Sequence, residues 1–280
     1  MDIGVTAFLT DRSMDPASFA IAVEERGFHS LYLPEHTHLP VAAQTPPGLV
    51  EGVERDDYRR SLDPMVALAA AAAVTTRVRV GTGVCLVAQH DPIVLAKQVA
   101  TLDLISRGRF VLGVGFGWNA AELADHGVDF SRRRDVAREK VLCMQALWTE
   151  EVPEFHGEFV ELPPCHSWPK PLQAPYPPVV IGGGAGPQLF SAVAEYGDGW
   201  MPIGGAGLAA ALPALRSAFE QAGRDPAELR IVPFGTIPDR AKLAHFRDVG
   251  VTEVVLRVPA GSADEMLPVL DGYAGFVSRA

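Results

Sequence analysis

Apolar positions along the chain fall into two alternating kinds of segment. Short, nearly continuous apolar or β-branched runs occur at residues 3–8, 30–33, 78–84, 110–114, 179–181, 199–201, 230–234 and 254–258. Continuous runs of this length predict strands buried on both faces, as in parallel sheets, in place of the in–out alternation of a half-solvated sheet. Longer periodic or alanine-rich segments lie between them, and their ends are punctuated. Asp15-Pro16, Asp63-Pro64, Asp91-Pro92 and Asp225-Pro226 each open such a segment. Asp accepts from unpaired first-turn N–H groups, and Pro fits the first helical position. Gly27, Gly108, Gly223 and Gly250 stand where a left-handed residue closes a helix. The alternation predicts an α/β fold, a (β/α)8 TIM barrel, for which about 250 residues is typical. A doubly wound open sheet is the alternative, since alternation alone does not decide closure.

Two stretches interrupt the rhythm. Residues 35–62 form a long Pro- and Gly-containing loop after the second strand, and residues 149–178 form a Pro-rich insertion after the fourth βα unit, with a hairpin predicted at 154–159. In a barrel, the loops that follow strands build the mouth of the active site, so long ones there are candidates for function. The 280 residues are read as a single domain carrying these two insertions.

Composition narrows the class. Hydrophobic residues are 48% and charged residues 21%, enough apolar material for a core and too much for a disordered chain. The net charge of −10 disfavours a nucleic-acid-binding surface, which needs a positive stripe. The longest apolar run, residues 65–74, is too short to span a bilayer, and no basic, apolar leader opens the chain. Three cysteines, Cys85, Cys143 and Cys165, are far apart and form no CxxC pair, which argues against a disulfide framework and for a reducing, cytoplasmic setting.

Four clusters carry candidate chemistry. Pro34-Glu35-His36-Thr37-His38 ends the second strand, placing a carboxylate and two imidazoles at the expected mouth; acid–base work or ligand contact fits such a cluster, and so does a solvated loop. A metal site built on His36, His38 and His90 is a further reading, although later strand ends offer no matching ligands. Gly81-Thr82-Gly83-Val84 places glycines within a strand, which predicts a bulge or the close approach of a flat ligand. Gly113-Val114-Gly115-Phe116-Gly117-Trp118-Asn119 resembles a dinucleotide-binding loop in composition, but its spacing is wrong for one. Gly182-Gly183-Gly184 precedes a helical segment, where free N–H groups and the helix dipole favour a phosphate. The run Arg132-Arg133-Arg134, with Arg138, reads as a solvated helix start that is also able to meet an acidic cofactor tail.

These stretches together resemble the luciferase-like superfamily, the bacterial-luciferase-type barrels that use flavins and deazaflavins. The resemblance rests on Leu33 to Pro40, on residues 80–84, on the run from Leu102-Asp103 through Ser106, Gly108-Arg109-Phe110 to Trp118, and on Trp168-Pro169-Lys170-Pro171 through Ile181-Gly182-Gly183 to Asp198-Gly199-Trp200. The Glu35–Pro40 and Trp168–Pro171 stretches are most similar to the coenzyme F420-dependent branch. The resemblance implies Glu35 and His36 beside the cofactor ring, with His36 as acid–base or ring-contacting residue. It implies a non-prolyl cis peptide at Gly83-Val84 backing the ring, with Thr82 alongside, and Gly182, Gly183 and Gly184 holding the phosphate. Trp118, Asn119 and His38 are expected in the substrate pocket. The sugar-phosphate dehydrogenases of the superfamily carry a Glu just after the GxG turn and a Trp after the second-strand His; here Trp118 and Pro40 stand at those places, so that substrate is not carried over.

The expectation is hydride transfer between coenzyme F420 and a small organic substrate in a homodimer, without a metal. The alternatives are an FMN-dependent monooxygenase of the same fold, a metal-dependent barrel hydrolase, and a non-catalytic flavin-binding protein.

Overall fold

A computed structural model describes residues 1–41 and 55–277. Parallel strands β1 (Asp2–Thr6), β2 (Ser30–Leu33), β3 (Arg79–Thr82) and β4 (Phe110–Val114) pair in chain order. The short antiparallel hairpin β5 (Phe155–His156) and β6 (Glu161–Leu162) lies in the insertion. The sheet resumes with β7 (Val179–Gly182), β8 (Gly199–Met201), β9 (Arg230–Ile231), β10 (Phe234–Thr236) and β11 (Glu253–Arg257).

The segment β9–β10 is one barrel strand in two pieces. Its first part pairs with β8 and its second with β11, and β11 pairs with β1. Pro233 separates the pieces because it has no N–H to give a ladder. The carbonyl of Pro233 still accepts from Val255 N–H at 2.9 Å, and Phe234 N–H reaches Pro202 O at 2.8 Å. The sheet therefore closes on itself, which settles the barrel against the doubly wound alternative. Two strands end earlier than the apolar runs suggest. β1 stops at Thr6 and β3 at Thr82, so Ala7, Phe8, Gly83 and Val84 belong to the mouth.

The helices form the outer layer: α1 (Pro16–Glu25), α2 (Arg55–Arg60), α3 (Pro64–Val74), α4 (Pro92–Ile105), α5 (Ala120–Asp125), α6 (Arg133–Thr149), α7 (Pro187–Tyr196), α8 (Leu208–Gln221), α9 (Arg240–Asp248) and α10 (Ala263–Ala274). Asp15, Asp63 and Asp91 accept from first-turn N–H groups of α1, α3 and α4, as their Asp-Pro pairs predict. Asp225 caps only a single 3-10 turn, residues 226–228, before β9 begins. Gly27, Gly108, Gly223 and Gly250 all have φ between 76° and 87°. Among the described residues no helix is long and apolar enough to cross a membrane.

Apolar side chains sort into two sets. Those facing outward from the strands meet the helices. Tyr32, Val111, Val180, Met201, Val232 and Val255 point inward and fill the barrel. The insertion is fastened from beneath by buried carboxylates. Glu139 on α6 accepts the N–H groups of Glu158, Phe159 and Val160 at 2.9, 2.7 and 3.1 Å. Asp103 on α4 accepts those of Leu172 and Gln173 at 2.8 and 2.9 Å. Loops 35–62 and 149–178 thus differ: the second is pinned to the barrel wall, while the first contributes α2 to the mouth and its residues 42–54 lie outside the described residues.

Candidate active site

A cavity of about 330 Å³ opens at the C-terminal ends of the strands. That is at the lower end of the range, about 300–1,000 Å³, usual for small-molecule and cofactor sites. Chain segments after β1, β2, β3, β4, β7, β8, β10 and β11 all reach it, and its walls are mostly apolar and aromatic.

At the end of β2 the chain turns two side chains opposite ways. Glu35 is 3% exposed and directs its carboxylate against the barrel wall. It accepts from Leu86 N–H at 2.5 Å and meets His90 Nε2 at 2.7 Å. Burial pushes the Glu35 carboxyl up, but the hydrogen bond and charge of His90 and the Leu86 N–H outweigh it and hold the group below its ordinary value. Burial likewise pulls His90 down, and the Glu35 hydrogen bond and charge more than reverse this. Cys85, Glu35 and His90 place one donor atom each within 4.8 Å. The Cys85 thiol, pushed up by burial and by the Glu35 charge, is held protonated and is no nucleophile.

His36 turns into the cavity. Its Nδ1 lies 2.9 Å from Glu122 Oε2, and both side chains are nearly fully buried, at 6% and 1% exposure. Edge-on rings of Tyr58 (5.1 Å) and Trp118 (5.6 Å) hold the imidazole plane. A carboxylate is an acceptor, so Nδ1 carries the proton, and among the described residues Nε2 has no hydrogen-bond partner. The other Glu122 oxygen, Oε1, is buried without a partner. The result is an imidazole fixed in tautomer and orientation, with one nitrogen free to accept or give a proton in an apolar cavity.

Glu122 escaped the reading of the sequence. It stands at the third position of α5 after Asn119, whose Oδ1 accepts from Ala121 and Glu122 N–H at 3.2 and 3.4 Å. Asn followed three residues later by Glu looks like helix capping. A carboxylate thus does stand beside the second-strand His, supplied from α5 one turn beyond Trp118, which lines the cavity.

The other expected site residues separate. Gly83, Val84, Gly182 and Gly183 line the cavity, whereas Gly184 does not. Thr82 is fully buried and its hydroxyl donates to Gly113 O at 2.8 Å, outside the cavity wall. Asn119 is a buried helix cap, and His38 points to Asp125 at 2.9 Å on the exposed rim. His36, His38 and His90 each face a different carboxylate, so they do not form the three-histidine metal site considered above.

The Gly83-Val84 peptide is cis. Val84 stands at the cavity floor because its neighbours have no side chains. A Cβ on Gly115 would lie 2.2 Å from Val84 Cγ2, and one on Gly182 would lie 2.9 Å from Val84 Cγ1. The glycines on either side leave this floor free of Cβ atoms flanking Val84. Gly115→Ala is therefore expected to displace Val84 and weaken flavin or deazaflavin binding at least tenfold in a fluorescence titration, with thermal stability checked in parallel.

The chain matches the luciferase-like monooxygenase family over residues 15–239. It belongs to that family. An uncharacterised protein from Mycobacterium tuberculosis is 43% identical over 277 residues, 98% of each chain. An F420-dependent glucose-6-phosphate dehydrogenase from Kineococcus radiotolerans is 33% identical over 221 residues, 76% of this chain and 60% of its own length. Among solved structures, the monooxygenase RslO1 from Streptomyces bottropensis superposes with a TM-score of 0.80 at 22% identity, over 98% of both chains. An F420-dependent secondary alcohol dehydrogenase superposes with a TM-score of 0.79 at 19% identity, over 99% of this chain and 98% of its own. Luciferase-like proteins are oxidoreductases and monooxygenases, with both F420-dependent and FMN-binding members.

Proposed function

We propose that this protein is a coenzyme F420-dependent oxidoreductase that interconverts a small alcohol and its carbonyl compound. The observation that carries the reading is the His36–Glu122 pair, buried at the cavity wall with Nε2 unpartnered. Removing a hydride from an alcohol carbon also requires that the hydroxyl proton go somewhere. Nε2 of His36 accepts it, and the Glu122 carboxylate on Nδ1 stabilises the imidazolium that results. In the reverse direction the same nitrogen protonates the carbonyl oxygen as hydride arrives.

The residues present fit a deazaflavin. Val84, Gly115 and Gly182 offer the ring a floor without side-chain crowding. Gly183 and the N-terminus of α7, which has no side-chain cap, offer N–H groups for a phosphate. Arg133 and Arg134 line the mouth without an acidic partner among the described residues, suiting an acidic tail. Bound there, a deazaflavin would supply a carbon centre that takes or gives a hydride. The apolar walls of Phe8, Phe116 and Trp118 exclude water from His36 and the substrate.

Paired fluorescence-quench titrations with coenzyme F420 and FMN test the reading. The expected result is micromolar or tighter binding of F420 with FMN at least tenfold weaker. Preference for FMN would replace the reading with a flavin monooxygenase.

A further inference from the structure

The mouth of the barrel holds a cation that the hydride-transfer reading does not use. Arg257 is the last residue of β11 and lines the cavity. The strand end is fixed from outside, because Tyr273 on α10 donates its hydroxyl to the Arg257 carbonyl at 3.1 Å. Its guanidinium makes no ion pair and no hydrogen bond among the described residues, and Nη1 is buried with no partner. A guanidinium nitrogen buried in this way loses hydration without recovering it from the protein, although the residue as a whole is half-buried. The exposed Arg12, Arg132 and Arg138, by contrast, all carry carboxylate partners.

Position separates this charge from the cofactor-binding groups. In the closed ring of eight strands, counting β9–β10 as one, β11 lies four places from β4, after which Arg133 and Arg134 follow. The two sets of arginines therefore face each other across the mouth. Arg257 instead shares a wall with the proton-handling group: β11, β1 and β2 are consecutive neighbours, Arg257 ends β11, and Phe8 and His36 follow the ends of β1 and β2. Phe8 packs on Tyr58 with ring centroids 4.8 Å apart. Burial pushes the Tyr58 phenol up, the Arg257 charge acts against that and the Asp57 charge adds to it, so Arg257 and Asp57, which both line the cavity, lie within electrostatic reach of the phenol. By register Arg257 is level with Thr6 and Thr6 with Tyr32, so Arg257 lies two strand spacings, about 10 Å, from Tyr32, and His36 follows farther along the same chain segment.

We infer that Arg257 binds an oxyanion of the substrate, a carboxylate or phosphate, and that the substrate is an anionic alcohol or carbonyl compound. Its charged end lies at Arg257, its apolar middle against Phe8 and Tyr58, and its reacting carbon several bonds away at His36. The inference rests on the oxidoreductase reading of the cavity and adds the substrate class. The other source of an oxyanion is the cofactor's own phosphate or acidic tail, and the test distinguishes the two.

Calorimetric titrations would use 3-phenylpropionate, its uncharged amide and phenyl phosphate, against wild type, Arg257→Met and Arg257→Lys, with coenzyme F420 titrated into the same three proteins. The expected result is that wild type prefers an anionic probe to the amide at least tenfold. Arg257→Met abolishes the preference, Arg257→Lys keeps part of it, and F420 affinity stays within twofold throughout. Absence of preference in wild type, or its retention in Arg257→Met, overturns the inference. A tenfold loss of F420 binding in Arg257→Met with anion preference unchanged assigns the arginine to the cofactor and also overturns it. Anion selectivity lost on mutation, in a protein that prefers FMN, would uphold the inference while overturning the F420 reading.

Discussion

Glu122→Gln is expected to lower kcat by about 10²-fold and His36→Ala by about 10³-fold, within the range that positioned proton transfer contributes. The two side chains act as one device. In the proposed reaction His36 moves the proton at Nε2, and Glu122, bonded to Nδ1, balances the positive charge that develops on the ring. A glutamine at position 122 keeps the size of the side chain and removes the charge, so the imidazolium loses its counter-ion. It can also present its amide N–H₂ to Nδ1, which favours the wrong tautomer. Coenzyme F420 affinity is expected to stay within twofold in both variants, because neither side chain belongs to the glycine-lined floor. The measurement is steady-state turnover of an alcohol substrate, with the pH profile of kcat and rescue of His36→Ala by added imidazole. Unchanged kcat in both variants would remove His36 from the chemistry and leave it a packing residue.

Glu35→Ala costs about 3–5 kcal/mol of stability, the range for breaking a buried ion pair from one side. For a chain of this size each kcal/mol moves Tm by roughly 2–4 °C, so the loss is about 6–20 °C. The carboxylate is buried and ties the end of β2 to Leu86 N–H and His90, and alanine leaves both donors without an acceptor. The sign of the pH dependence follows from the two directions. Glu35 is held below its ordinary 4.5, so its contribution is present above that pH and fades as pH falls through the depressed value. His90 is held above its ordinary 6.5, so its contribution is complete below 6.5 and fades as pH rises through the raised value. The pair therefore stabilises most between 4.5 and 6.5. Thermal unfolding of wild type and Glu35→Ala across pH 4–9, a range set about these ordinary values, should show the gap widest in that window. An equal gap at every pH would show that the pair is not ionised in the folded protein.

The adjacent residues Glu35 and His36 show what a linear motif can and cannot convey. As a sequence they form one acid–base cluster at a strand end, and the mouth of a barrel was the right place for it. The backbone turns successive side chains to opposite sides, so Glu35 serves the wall and His36 the cavity. His36 then takes its carboxylate from Glu122, 86 positions away. The family resemblance put His38 and Asn119 in the pocket, yet one lies on the exposed rim and the other caps α5. Arg257 carried no local signal, since an arginine at a strand end is unremarkable until its surroundings show no partner.

By itself the sequence determined the alternation of strands and helices, their caps and closing glycines, and the glycines at the strand ends. These depend on residues within a turn or two of each other, where Asp, Pro and Gly act through backbone geometry and short hydrogen bonds. Tertiary structure alone decided that the sheet closes through the divided strand β9–β10, that Glu122 is the partner of His36, and that Arg257 lines the cavity with its Nη1 unpartnered among the described residues. Those outcomes depend on which side of each strand end faces the barrel axis and on which residues distant in sequence the ring brings together. Closure sets both, by aligning the C-terminal ends of all its strands around one mouth.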